Sequence, residues 1–274
     1  MKRYLLLFTV ALACTVATSA QTTRALKKVM ELKMPKTADD DKPGTRGASV
    51  AWHPIQKKYY AVMAGNAEYP LAVFNALGKR ISGDDAEAMM DTRGIWYNAD
   101  TKKICGNAYS EFGWFSYTLD AKGLPTDHKV DFEGMYQPDA QSVGTYLAAK
   151  KKVMFLKGSQ LWFYNAGAAL DATKTAIHWG LTSKDGIAED EDVEEAPQGY
   201  NYTSVISSNV PGAEAGVLNI VDKQVELYNI KTGFLAQKLT LPEDAPTEGS
   251  FNFAFANGIY WLFDMENRVW YGYK

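Results

Sequence analysis

Four times this chain carries an apolar, aromatic run into an Asn or Asp, turns, and resumes an alternating run. The phrases are "LAVFNALGKRI", "WFSYTLDAKGLP", "LWFYNAGAAL" and "VELYNIKTGFLAQKLTLP", with the turn set at Asn75, Asp120, Asn165 and Asn229. Asn and Asp tolerate left-handed backbone and hydrogen-bond their own turn, while Gly78, Gly123 and Gly233 supply positive φ. Each phrase therefore predicts a β-hairpin. A second kind of hairpin alternates with it: "SVAWHPIQKKYYAVMAG" from Ser49, "GIWYNADTKKICGNAY" from Gly94 and "VGTYLAAKKKVMFLKG" from Val143. A shorter copy, "FNFAFANGIYWLFDM", starts at Phe251. The pairs Lys57–Lys58, Lys102–Lys103 and Lys151–Lys152 in these phrases read as solvated turn residues. Helical periodicity is scarce throughout.

Two hairpins make a unit of about four strands. Units start near Ala48, Asp91, Asp139, Gly199 and Gly249, a period of roughly 43 to 60 residues. A lone four-stranded antiparallel sheet leaves its faces uncovered. Stacking such sheets around an axis buries both faces and leaves only short, protected edges. The pattern resembles the β-propeller superfamily, in its secreted forms with NHL-like or YVTN-like repeats, and marks no single family within it. The resemblance implies an all-β, five-bladed β-propeller of four-stranded antiparallel blades. Six blades is the alternative, because the stretch between Ala169 and Gly199 is long enough to hide strands.

The last unit offers three strands before Lys274. "KKVMELKMPK", Lys27 to Lys36, alternates, and its "ELKMP" matches "KLTLP" at Lys238 to Pro242. This segment is expected to complete the last blade and close the ring. An open solenoid would gain nothing from the match.

Ahead of it, residues 1–20 have the layout of a cleaved secretory signal. Lys2 and Arg3 are the basic region, "YLLLFTVALA" the apolar core, and "ATSA" the small residues before Gln21. Lipidation at Cys14 is the less favoured alternative, since Ala11 stands where a larger aliphatic is usual. The junction resembles exported proteins of Bacteroidetes-type bacteria. A single domain over 21–274, periplasmic or extracellular, is expected, with an acidic loop insertion at 185–198. No later apolar run reaches the length of a transmembrane helix. Without Lys2 and Arg3, 27 basic residues face 32 acidic ones, a net charge of −5 with no basic stripe, so nucleic acid is not an expected partner.

Local signatures of chemistry are sparse. With Cys14 in the leader, Cys105 has no partner for an internal disulfide and reads as a small buried residue; a nucleophile or an intermolecular bridge is the alternative. His53, His128 and His178 share no ligand spacing, so neither a metal site nor a cofactor is expected. "GIAEDEDVEEAP", Gly186 to Pro197, is rich in carboxylates but lacks the ordered register of a calcium loop. It reads as a solvated loop, as does the linker "DDDKPG", Asp39 to Gly44. No nucleophile elbow, phosphate loop or dinucleotide fingerprint is present.

Propeller geometry narrows the search for a site. Loops entering each innermost strand, and loops joining second and third strands, gather on one face around the axis. Thr-Arg-Gly occurs in two of the entering loops, which makes Arg46 and Arg93 equivalent positions in adjacent blades. Two neighbouring guanidiniums call for an anion between them, from a ligand or from Asp139 or Glu248. Trp96, Gln141, Tyr200 and Tyr202 fall in the same set of loops, and Tyr69 and Glu111 in the second set, beside Asn66, Glu68 and Trp114. The expected function is binding of a small molecule, glycan or protein partner on this face, without catalysis. The alternative is a glycoside hydrolase or lyase whose carboxylates converge in the axial pocket.

Overall fold

The computed structural model describes residues 22–35, 45–65, 67–83, 88–183, 185 and 195–274. The signal segment, the Asp39–Gly44 linker, Asn66 and residues 186–194 of the acidic loop lie outside the described residues.

In chain order, β1 (Thr22–Ala25) and β2 (Lys28–Lys33) come first. The first blade is β3 (Arg46–His53), β4 (Lys58–Ala64) and β6 (Ala72–Asn75), and the short β5 (Tyr69–Pro70) and β7 (Met89–Met90) pair with each other in a separate two-stranded ladder. The second is β8 (Thr92–Asn98), β9 (Lys103–Ala108), β10 (Trp114–Leu119) and β11 (Pro125–Phe132). The third is β12 (Thr145–Leu147), β13 (Lys152–Lys157), β14 (Gln160–Asn165) and β15 (Thr175–Ala176). The fourth is β16 (Ile206–Ser207), β17 (Ala215–Asn219), β18 (Gln224–Tyr228) and β19 (Leu235–Thr240). The fifth is β20 (Phe253–Ala256), β21 (Ile259–Asp264) and β22 (Val269–Tyr273), with β2 as its outer strand. The molecule is a five-bladed propeller.

The ring closes as the alternation at Lys27 predicts. β2 runs antiparallel to β22, with Leu32 opposite Trp270, and Lys27 and Lys274 exchange backbone hydrogen bonds of 3.0 and 2.9 Å. An additional contact has no signal in the sequence: β1 lies parallel to β19 and gives the fourth blade a fifth strand. The stretch between Ala169 and Gly199 holds, among the described residues, only β15, which pairs with β14 as the outer strand of blade three. It adds no sixth blade. In blade one the outermost strand shrinks to a bridge between Phe74 and Arg80.

The recurring hairpin has one mechanism in all four copies. The side-chain oxygens of Asn75, Asp120, Asn165 and Asn229 each accept two backbone N–H groups from the turn that follows, at 2.8 to 3.2 Å. The Lys-Lys pairs split their duties. Lys57, Lys102 and Lys151 take left-handed backbone at the turn, and Lys58, Lys103 and Lys152 begin or adjoin the next strand.

The five inner strands are tied to one another around the axis. Ser49 Oγ donates to the Ile95 carbonyl, and Gly144 N–H donates to Asn107 Oδ1. Val143 N–H reaches the Thr203 carbonyl, Phe251 N–H the Thr203 hydroxyl, and Asn252 N–H the Gly47 carbonyl. The approach is so close at Gly94 that a Cβ there would sit 2.5 Å from the Gly144 carbonyl oxygen. Outside this girdle the blades pack through aromatic side chains. Tyr59, Trp261 and Trp270 are fully buried, with the Tyr59 and Trp261 rings 5.3 Å apart.

Candidate ligand-binding mouth

The loops that enter the inner strands surround a cavity of about 310 Å³ at one end of the axis. Every blade contributes to it: Arg46 from the first, Arg93 from the second, Gln141 from the third, Tyr202 from the fourth and Ser250 from the fifth. The two arginines of the repeated tripeptide thus meet at one opening, but their surroundings differ.

Arg93 is 3% exposed and fully engaged. Its Nη1 donates to Asp91 Oδ1 at 2.5 Å and to the Thr92 carbonyl at 3.1 Å, and its Nε donates to Gln141 Oε1 at 2.8 Å. Its guanidinium also lies 4.6 Å from the Tyr109 ring centre. Burial lifts the Asp91 carboxyl above its ordinary range, against the opposing pull of Arg93. Arg46 has no such carboxylate. Its guanidinium donates to the neutral Ser250 hydroxyl, and no ion pair to Arg46 occurs among the described residues. Among the described residues, one positive charge at the mouth is paired with a carboxylate and the other is not.

The backbone of the fifth blade's entry loop is strained where it meets the mouth. Phe251 and Asn252 are consecutive left-handed residues, with φ of 51° and 58°. Bulky residues rarely adopt this conformation. Buried amides enforce it: Asn201 Nδ2 donates to the Phe251 carbonyl at 2.7 Å, and Asn252 Oδ1 accepts the Gly47 N–H at 2.6 Å.

A wider groove of about 760 Å³ opens beside the mouth and shares Gln141, Tyr202 and Thr203 with it. Tyr202 is 58% exposed and stands between the two. Asp139 lines the groove and pairs with Lys157 at 2.6 Å. That hydrogen bond holds the Asp139 carboxyl below the usual carboxylate range.

Other residues of the expected rim lie elsewhere. Trp96 is three residues down β8 from Arg93, about 10 Å along a strand. It packs edge-on against Trp114 in the core between blades two and three. Tyr69 is fully buried, with its hydroxyl 2.7 Å from Thr45 Oγ1. Tyr200 lines the groove with its ring, but its hydroxyl points inward to Glu226 at 3.0 Å, and burial raises its pKa. Glu111 is exposed and uses its backbone carbonyl to accept Gly134 N–H. Glu248 likewise contributes a carbonyl, which accepts from Asn201 Nδ2. Among the described residues neither Asp139 nor Glu248 pairs with Arg46 or Arg93. That role belongs to Asp91, and its signal was in the sequence: Asp91 stands two residues before Arg93, where the first copy has Gly44 before Arg46.

At the opposite end of the axis a second cavity, of about 290 Å³, is lined by the inner strands and by Trp52, Tyr97, Tyr146 and Phe255. It shares no lining residue with the mouth, and neither lining includes an Asp or Glu among the described residues. Among those residues no cluster of three His, Cys, Asp or Glu side chains is placed to hold a metal ion. Among the described residues no helix is long and apolar enough to cross a membrane.

No protein-family model and no curated protein matches this chain. Among solved structures it is similar to the glutaminyl cyclase of Myxococcus xanthus, with a TM-score of 0.55 and 10% identity over 93% of this chain and 98% of that one. It is also similar to a protein of unknown function from Bacteroides thetaiotaomicron, with a TM-score of 0.49 and 9% identity over 84% of this chain and 60% of that one. At such identities the likeness to the cyclase carries the propeller architecture, and the mouth has to be read from its own residues.

Proposed function

We propose that this chain is an exported binding protein that captures a small anionic ligand, a carboxylate or a sugar acid, at the axial mouth. The observation that carries the reading is the asymmetry between the two arginines. Arg93 is held by Asp91 and Gln141, whereas Arg46 faces the same cavity with a neutral hydroxyl as its partner. A guanidinium so placed offers paired donors to a carboxylate. Tyr202 and the adjoining groove provide a flat apolar surface and room for the rest of the molecule. Export rests on the basic, apolar and small-residue layout of residues 1–20. Hydrolysis by a carboxylate pair would require acidic side chains converging on the axis. The described linings of both axial cavities supply none, which favours binding over that chemistry.

The test separates the arginines. Calorimetric titration of citrate, malate and glucuronate into the purified chain should find a binder, and Arg46→Gln should weaken it by about tenfold or more, the worth of a charged hydrogen bond. Its unfolding midpoint should stay near that of the wild type. Arg93→Gln strands Asp91 and should instead cost stability, on the order of 3 kcal/mol. Equal affinity in Arg46→Gln, or no uptake of any of the three anions, would overturn the reading.

A further inference from the structure

A second site lies at the joint between blades two and three, away from the mouth. Strand register sets Trp96, Cys105, Ser116 and Lys129 side by side across β8, β9, β10 and β11. The middle two side chains are small. Val153 and Ala166, which line the same space, are also short, and a hollow of about 350 Å³ remains. Blade four shows that a small residue in a second strand need not leave a void. There Gly216 is covered so closely by Ile206 and Leu227 that a Cβ would meet them at 2.5 and 2.9 Å.

The walls of the hollow are aromatic: Trp96, Trp114, Phe132 and Tyr146. Its polar content is specific. Ser116 is 2% exposed, and its hydroxyl has no hydrogen-bond partner among the described residues. A buried hydroxyl left unmatched is costly, and an occupant of the adjacent space could match it. The Cys105 thiol is uncharged, pushed up to about 12 by burial and by the field of Asp131. At the rim Lys129 and Asp131 lie 3.4 Å apart and compensate each other. Lys103 adds a further charge at the exposed edge of the lining, whereas the aromatic walls, Ser116 and the uncharged Cys105 thiol bring none to the interior.

We propose that this hollow binds a neutral aromatic molecule of one or two rings carrying a hydroxyl or N–H group, its ring against Trp96 and Trp114 and its polar group at Ser116. An apolar protein cavity of about 150 Å³ is known to accept benzene, so a hollow roughly twice that size has room for two fused rings.

Indole, phenol and toluene serve as probes on the purified chain, read by calorimetry and by tryptophan fluorescence. Indole and phenol should bind saturably. Cys105→Leu, which fills the hollow, should weaken indole by about tenfold. The wild type should prefer phenol to toluene by about fivefold, and Ser116→Ala should abolish that preference. Arg46→Gln should bind indole as the wild type does, so failure here and failure of the anion-binding mouth are distinguishable. The proposal is overturned if neither indole nor phenol saturates at millimolar concentration, or if Cys105→Leu binds indole undiminished. It is also overturned if Arg46→Gln loses indole. Should Cys105→Leu fail to fold, Ser116→Ala decides alone: an unchanged preference for phenol sinks the site.

Discussion

An arginine side chain stays ionised across the whole physiological range, so Arg46 and Arg93 differ only through their neighbours. The repeated tripeptide made their shared position legible, and the structure brings both to one cavity. Their division of labour was harder to read, because it depends on one residue outside the repeat, Asp91 in one copy and Gly44 in the other. His53 gives a comparable lesson about an unpaired titratable group. Its Nδ1 accepts the Gln56 N–H at 3.3 Å and its Nε2 lies 3.2 Å from the Lys102 carbonyl. Both contacts suit a neutral ring protonated on Nε2, and a second proton on Nδ1 would face a donor. Burial accordingly lowers the His53 pKa from its ordinary 6.5. As pH falls through 6.5 the unfolded chain takes up this proton before the folded one does. The His53 contribution is therefore complete above that pH and declines as pH falls toward the lowered folded value. Urea midpoints measured at pH 7.5 and at pH 5 should show a smaller loss on acidification in His53→Gln than in the wild type. An identical loss in both would remove His53 from the account.

At the level of strands and turns, the alternating aromatic runs and their Asn or Asp stops translated directly into hairpins, because side-chain oxygens close those turns locally. What escaped was whatever lacked a local cause. β1 is a polar stretch, Thr22–Ala25, that becomes a strand only because β19 presents an edge to it. β15 is two residues long, too short for alternation to show. Trp96 and Trp114 were assigned to the rim by loop position, but the pleat turns both into the joint between blades. The turns between first and second strands carry a backbone cost that composition did not reveal. Lys57, Lys102, Lys151, Asn209 and Asn257 hold φ between 53° and 59° in the five blades. Two blades use Asn, which accepts this conformation readily, and three use Lys, which does not. Replacing Lys57 and Lys102 by Gly should therefore raise stability by about 1 kcal/mol each, measured as a shift in denaturant midpoint at constant slope. Lys151 is a poorer choice, since its Nζ bonds Asp100 at 3.0 Å. A lower midpoint in Lys57→Gly would show that the lysine stem contributes more than the strain costs.

For the whole molecule, the decisive contact joins distant parts of the chain. Leu32 is fully buried and pairs across the closing sheet with Trp270. Leu32→Ala should cost about 2 to 5 kcal/mol, as in any well-packed core, although Leu32 lies on a short outer strand of which most residues face solvent. A loss below about 1 kcal/mol would mean that the ring does not depend on this latch. The architecture was readable because closure left a trace in sequence, an alternating segment matching the outer strand of another blade. The girdle around the axis left none, since backbone groups and buried amides such as Asn107, Asn201 and Asn252 make it. The cavity at the arginine end and the cavity at the aromatic end have no wall residue in common, so a substitution that reshapes one leaves the lining of the other intact. Whatever settles beside Arg46 has the neighbouring trough open to it past Gln141, Tyr202 and Thr203.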